Sequence, residues 1–195
     1  FVIADILSYY ECNLKSIESK PIKNVNLDFL IAEEKDKQEL TLVFREVFKK
    51  YPTHYALNPY FDKDRVLDGY TEWILNFINP QNRDNKICLL VKYNKEIIGF
   101  AASSLDHDSK SAEAVLFGVS KKAFFEYKII GLYEDMMRWT QNYCKNIGIE
   151  RIITSTQIQN IQIQKIYARE GFQLKNSFFT IHLNTFMANN KELCD

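Results

Sequence analysis

Between Lys86 and Val119, three extended apolar stretches follow one another with no room for a helix between them. KICLLVKY and EIIGFAASSL are separated by Asn94-Lys95, and the turn DHDSK leads into SAEAVLFGV. Runs of this length and composition, bounded by turn residues, read as strands. A two-residue connection such as Asn94-Lys95 is a hairpin signal. Strands joined by turns this short lie antiparallel, because a parallel crossover needs a dozen or more residues. Beyond Val119 the apolar period changes from that of a strand to that of a helix. From Tyr127 to Asn146 the stripe is Ile129, Leu132, Met136, Thr140 and Tyr143, continued by Ile147, and Gly148 suits the cap. ERIITST then reads as a short buried strand. A helix follows from Asn160, and FQLKNSFFTIHL reads as a closing pair of strands.

Ahead of Lys86, FVIADILSYYECNL suits one or two strands, and SIESKPIKN is a polar linker. VNLDFLIAEE is a strand that runs into a helix near Asp36. That helix carries Leu40, Val43, Phe44, Val47 and Phe48 at helical spacing. After the aromatic loop PTHYALNPYFD comes a second helix with Val66, Leu67, Tyr70, Trp73, Ile74 and Phe77 on one face. It is expected to stop before Asn79-Pro80. The order from Val25 onward is β-α-α-β-β-β-α-β-α-β-β, which predicts an α/β class with a mixed sheet flanked by helices in three layers.

A chain of 195 residues can bury a sizeable core without staples. Lys plus Arg and Asp plus Glu are both 25. With no net charge, a general polyanion binder is disfavoured, since phosphate-backbone affinity rests on clustered Lys and Arg; no nucleic-acid partner is expected. Cys12, Cys88, Cys144 and Cys194 form no CxxC motif, so no metal site is expected, and Cys88 and Cys144 read as core residues. No run of 18 apolar residues and no signal-peptide pattern is present, so no membrane partner is expected and the expected location is a reducing cytoplasm. A chain that starts at Phe1 is expected to be a segment or to lack its natural start.

SYYECNL, Ser8–Leu14, resembles SFFTIHL, Ser177–Leu183. Two readings stand: chance, or the tail of a truncated second copy that extends the sheet as an edge strand. The expected organisation is an N-terminal strand segment and linker over 1–24, the main domain over 25–187, and a tail over 188–195.

The sharpest motif is TSTQIQNIQIQKIYAREGF, Thr154–Phe172. Asn160 is a strong N-cap and Gly171 a strong C′ residue, which explains a helix without any ligand. The spacing Asn160-x6-Tyr167-x3-Gly171-Phe172, set after a buried strand, resembles the signature of the GNAT acyl-CoA N-acyltransferases. Thr156–Asn160 and the stretch His54–Asn76 are similar to the TDP-fucosamine acetyltransferase-like branch. The resemblance covers roughly Val25–Leu183 and implies the GNAT fold. It further implies an acetyl-CoA-dependent N-acetyltransferase acting on a small amine, perhaps a nucleotide-linked amino sugar, with acetyl-CoA as acyl donor and no metal. A homodimer is within this expectation.

By the same resemblance, the two parallel central strands splay to admit the pantetheine arm near Phe117, Gly118 and Val119. The N–H of Val119 faces the oxyanion, and Asn160 reaches the cofactor. Tyr167 is the general acid, because a phenol with a pKa of about 10 stays protonated at neutral pH. Its plainer reading is an aromatic packed on the sheet. The phosphate loop falls on Glu126–Gly131, so Lys128, Ile129, Ile130, Gly131 and Leu132 are its candidate residues. EYKIIG keeps only the last glycine of the family pattern, and its spacing from Val119 is about two residues long. Glu113 is a candidate base, with His107 of the DHD turn as a weaker one. The acceptor candidates are His54, Tyr55, Asn58, Tyr60 and Phe61, since sugars stack on aromatic faces. Two alternatives remain: a peptide or protein amine as acceptor, and a non-catalytic GNAT-like binding module.

Overall fold

The computed structural model describes residues 2–183. Phe1, Cys194 and the expected tail 188–195 lie outside them. Seven strands form one sheet: β1 (Val2–Asn13), β2 (Asp28–Ile31), β3 (Lys86–Tyr93), β4 (Glu96–Asp106), β5 (Ser111–Val119), β6 (Arg151–Gln157) and β7 (Gln173–His182). The helices are α1 (Lys37–Phe48), α2 (Lys63–Leu75), α3 (Lys121–Phe125), α4 (Leu132–Asn146) and α5 (Ile161–Arg169).

The strand order is β2-β3-β4-β5-β6-β1-β7. Only β5 and β6 pair in parallel; the other neighbours are antiparallel. The β3–β4 turn is the expected hairpin: Asn94 and Lys95 both have positive φ, 51° and 69°, as a type I′ turn demands.

Three expectations need correction. First, β1 is not an edge strand. It lies between β6 and β7, pairing Leu7–Asn13 with Gln157–Arg151 on one side and Val2–Glu11 with His182–Gln173 on the other. Its side chains explain this. Tyr10 and Cys12 pack among α4, α5 and β6, while Leu7 and Tyr9 face the opposite side. A strand with apolar residues on both faces belongs inside a sheet. Second, FQLKNSFFTIHL is one strand and not two. Asn176 and Ser177 are turn-type residues, yet they stay in the strand because β1 pairs with them, Tyr9 opposite Asn176 and Ser8 opposite Ser177. Third, the long helix starts at Leu132 rather than Tyr127. Lys128 has φ 55° and Gly131 φ 78°, so the chain between α3 and α4 leaves the helical region twice.

The two faces of the sheet carry separate cores. Leu40, Phe44, Phe48, Leu67 and Ile74 of α1 and α2 pack on Cys88, Leu90, Phe100 and Leu116. Met136, Met137 and Cys144 of α4 and Ile166 and Tyr167 of α5 are buried against the other face. Each fully buried Leu, Ile or Phe contributes about 1.5–3 kcal/mol. Cys12, Cys88 and Cys144 are buried and free. Burial pushes the Cys88 thiol far up and the Cys144 thiol up to about 12, as inert core thiols show.

One buried ion cluster ties α4, α5 and the linker together. Arg138 donates to both carboxylate oxygens of Glu170, at 3.1 and 2.7 Å, and to Asp135 at 3.2 Å. Asp135 also accepts from the backbone N–H groups of Lys23 and Asn24, both at 2.9 Å. Removing one partner of a buried pair leaves an uncompensated charge. Arg138→Ala is therefore expected to cost about 3–5 kcal/mol in denaturant unfolding. Arg138→Lys should recover only part, because an ammonium cannot reproduce the two-pronged contact with Glu170.

Candidate functional site

The site starts from a bulge in β5. Ala102 pairs with Leu116, but Ser103 pairs with Ala114, so Val115 is the extra residue. Val115 and Leu116 consequently both pack toward α1, and the strand bends. Pairing with β6 ends here: it runs only from Ser111–Arg151 to Ala114–Thr154. Beyond that point the two parallel strands part.

The N–H groups along the parted stretch follow from the ladder. Ser120 N–H donates to Ile98 O at 2.9 Å, and Val119 stands opposite Gly99. Antiparallel pairs alternate between bonded and non-bonded, so the N–H groups of Val119 and Phe117 turn away from β4 toward the gap. Gly118 lies against α1: a Cβ there would stand 2.3 Å from the Phe100 ring and 3.0 Å from Val47.

A cavity of about 440 Å³ opens at the gap. Its walls are β5 from Glu113 to Val119, β6 from Thr154 to Gln157, and Asn160, Ile163 and Tyr167 of α5. Tyr133 of α4 joins them. The 50s loop adds Tyr51, Thr53 and His54, and α2 adds Tyr70 and Trp73. The N-terminal strand β1 contributes Asp5, Leu7 and Tyr9. Gln157 fastens the loop by donating to Pro52 O.

Tyr167 is buried, with its hydroxyl 3.0 Å from Thr154 Oγ1, 3.5 Å from the Tyr133 hydroxyl and donating to Ser155 O at 3.4 Å. Its ring packs on Tyr10 and Phe172. Burial pushes the Tyr167 phenol above its ordinary value, and the bonds to Thr154 and Tyr133 oppose that. Burial also raises Tyr51, against hydrogen bonds from Asn160 and Thr156. Tyr70 is pushed up to about 12, chiefly by burial. These phenols are proton donors at neutral pH. Asn160 caps α5 as expected, accepting from Ile163 N–H at 3.4 Å.

The other candidates divide. Phe117, Gly118, Val119, Asn160 and Tyr167 line the cavity, and Glu113 stands exposed at its wall. Lys128, Ile129, Ile130, Gly131 and Leu132 are not among the lining residues; they form the loop and first turn ahead of Tyr133, with Lys128 and Ile130 exposed and Leu132 buried. His107 is remote, with Nε2 2.8 Å from Asp84 O. Of the acceptor candidates, His54 reaches the cavity. Tyr55, Tyr60 and Phe61 line a neighbouring groove of about 730 Å³, which shares Tyr70 and Trp73 with the cavity. Asn58 is buried and holds the loop to β7, with Nδ2 2.9 Å from His182 Nδ1. Sequence reasoning missed Asp5, Tyr51, Tyr133 and Thr154. A lone carboxylate in the apolar run VIADIL was the available signal for Asp5. The rest are assembled by tertiary packing.

Solved structures settle the fold. An acetyltransferase of the GNAT family from Colwellia psychrerythraea superposes with a TM-score of 0.61 at 14% identity, covering 87% of this chain and 53% of that one. The PaiA N-acetyltransferase from Thermoplasma acidophilum, solved in complex with coenzyme A, superposes with a TM-score of 0.61 at 18% identity, covering 76% and 91%. The chain has the GNAT fold. Its mixed sheet and three layers are those the sequence resemblance implied. Among curated proteins, it is 26% identical over 148 residues to the spore coat polysaccharide biosynthesis protein SpsD of Bacillus subtilis (strain 168), covering 76% of this chain and 47% of that protein. The chain thus spans about half the length of the curated relative it matches. No family model matches the chain.

On this GNAT fold, no Lys or Arg lines the cavity among the described residues. Nor do the described residues hold a metal-binding cluster or a helix long and apolar enough to cross a membrane. His54 is held below its ordinary value, first by burial and then by the nearby His182. The unfolded chain therefore binds a proton at His54 more readily than the folded chain does. Stability from this group is present above the unfolded value of about 6.5 and is lost as pH falls through it. The urea midpoint is expected to drop between pH 7.5 and 5.5, and His54→Gln should shrink that drop. Gly118→Ala should destabilise by about 1–3 kcal/mol in the same assay, because the fully buried Phe100 has to move.

Proposed function

We propose that this chain is an acetyl-CoA-dependent N-acetyltransferase whose acceptor is a primary amine on a small molecule, a nucleotide-linked amino sugar being the class favoured. The observation that carries it is the gap between β5 and β6, with backbone N–H groups turned into it and the Tyr167 hydroxyl at its inner wall. The name of the curated relative, a polysaccharide biosynthesis protein, supports a sugar acceptor.

The residues present fit the donor. Gly131 opens α4 in the left-handed region, leaving the first N–H groups of that helix for phosphate oxygens. Glu134 and Asp135 of that turn are paired with Arg169 and Arg138. Lys128, exposed in the loop, is the cation that would offset phosphate charge. When bound, acetyl-CoA supplies an activated thioester carbonyl in the gap between β5 and β6.

The chain's own groups then divide the work. The N–H of Val119 donates to the carbonyl oxygen as negative charge builds there. The neutral amine forms the new C–N bond as the C–S bond breaks. Tyr167 gives its proton to the departing thiolate, and Thr154 and Tyr133 hold that phenol in place. The proton lost by the amine leaves through Glu113 or water at the open side of the cavity.

Tyr167→Phe keeps the packing and removes the proton. It should lower kcat by about 10²–10⁴-fold in a thiol-release assay while leaving acetyl-CoA affinity unchanged. Native turnover in that variant would remove the acid role. The rival reading, a binding module without catalysis, draws on the altered Glu126–Gly131 loop. Calorimetry with acetyl-CoA separates the two, since the enzyme reading requires saturable heat at micromolar to low millimolar donor.

A further inference from the structure

Asp5 is the one residue of β1 whose chemistry the fold does not explain. It stands two residues before the stretch paired with β6, where an extra residue, Ala4, bulges the ladder with β7. One carboxylate oxygen accepts from the N–H of Ile6 at 2.7 Å. The other, Oδ2, is buried and has no partner among the described residues. The residue as a whole is only 9% exposed.

A buried carboxylate oxygen without a partner costs free energy, and native structures seldom tolerate one without a use for it. Asp5 lines the cavity together with Leu7 and Tyr9 of its own strand. Tyr51, His54 and Tyr70 line the same cavity. The lining thus holds a carboxylate among aromatic side chains. Both features attract a cation: the first by charge-assisted hydrogen bonds, the second through the ring quadrupoles. His54 is a titratable base in the same lining, and no Lys or Arg joins it among the described residues.

We propose that Asp5 is the acceptor-recognising carboxylate of this cavity, binding the amine in the ammonium form in which it arrives; that ammonium gives one proton to water before the neutral amine attacks. The proposal rests on the acyl-transfer reading only for the word acceptor; the cation site itself follows from the orphaned oxygen and its surroundings. It also sharpens the acceptor: the part that enters the cavity carries positive and not negative charge. Any phosphate on a nucleotide-linked acceptor stays outside, toward the groove where Arg65 lies beside Tyr55, Phe61 and Trp73. The carboxylate is delivered by the N-terminal strand rather than by the stretch that carries the Asn160–Tyr167 motif.

The test compares D-glucosamine with D-glucose, which differ at one amino group, by calorimetry and thermal shift. The proteins are the native chain, Asp5→Asn and Asp5→Ala, and each is also titrated with acetyl-CoA. The native chain should bind glucosamine at least tenfold more tightly than glucose. Asp5→Asn should lose that preference, keep native acetyl-CoA affinity, and melt at or above the native temperature because an unpaired buried carboxylate is gone. Equal response to the two sugars in the native chain overturns the proposal, as does a preference that survives in both variants. An Asp5-dependent preference in a chain that gives no heat with acetyl-CoA upholds the carboxylate's role and removes acyl transfer instead.

Discussion

The sheet depends on the pairing of β1 with two partners at once. β6 and β7 have no ladder between them; each is bonded to β1. Without β1, β6 keeps only the four-residue parallel pairing with β5, and β7 keeps nothing. Tyr10 and Cys12 would also leave the core beneath α4 and α5. A strand that opens the sequence therefore closes the sheet. The faint likeness of SYYECNL to SFFTIHL belongs to two strands that lie side by side, with Ser8 opposite Ser177 and their hydroxyls 3.0 Å apart. From that pair the antiparallel strands run in opposite directions, so only the two serines of the likeness meet: Tyr9 stands opposite Asn176, and Phe178 opposite Leu7.

The parting of β5 and β6 makes room for chemistry, and its cause is one extra residue. The Val115 bulge turns two consecutive side chains toward α1 and leaves later N–H groups without a ladder partner. In most of a fold such groups would be a liability. Here they border a cavity, and a ligand oxygen can satisfy them. Asp5 repeats this logic on the opposite wall, with an acceptor where β5 has donors. The two unsatisfied features lie in the same cavity, which argues for one ligand site and against two unrelated defects.

Much of this was legible in the sequence because it is local. The positive-φ hairpin at Asn94-Lys95, the stripes of α1, α2 and α4, and the capped helix from Asn160 each rest on residues within one turn or one strand. Asn160 and Tyr167, which line the cavity, were readable as candidates because they sit at fixed spacing in one motif; Val119 was reached only through the family resemblance. What failed is nonlocal. The place of β1 depends on pairing residues some 150 positions apart, as in Leu7 with Gln157, and no local pattern reports that register. The loop from His54 to Phe61 read as one acceptor surface, yet it folds so that His54 and Phe61 face different depressions and Asn58 is consumed in holding it down.

The loop Glu126–Gly131, which the proposed function assigns to the donor's phosphates, lacks all but the last glycine of the family pattern. Glycines in such a loop permit close backbone approach, but the attraction comes from N–H groups and the helix dipole. α4 begins cleanly at Gly131, so those N–H groups are present despite the lost glycines. The acids of its first turn, Glu134 and Asp135, would oppose phosphate if they were free. Both are instead paired with arginines, Glu134 with Arg169 and Asp135 with the buried Arg138, which also meets Glu170; Lys20 approaches Glu170 at 3.5 Å. The ion cluster that holds α4 against α5 thus also removes negative charge from the start of α4. Stability and the charge balance at the start of α4 therefore share the same arginine, Arg138.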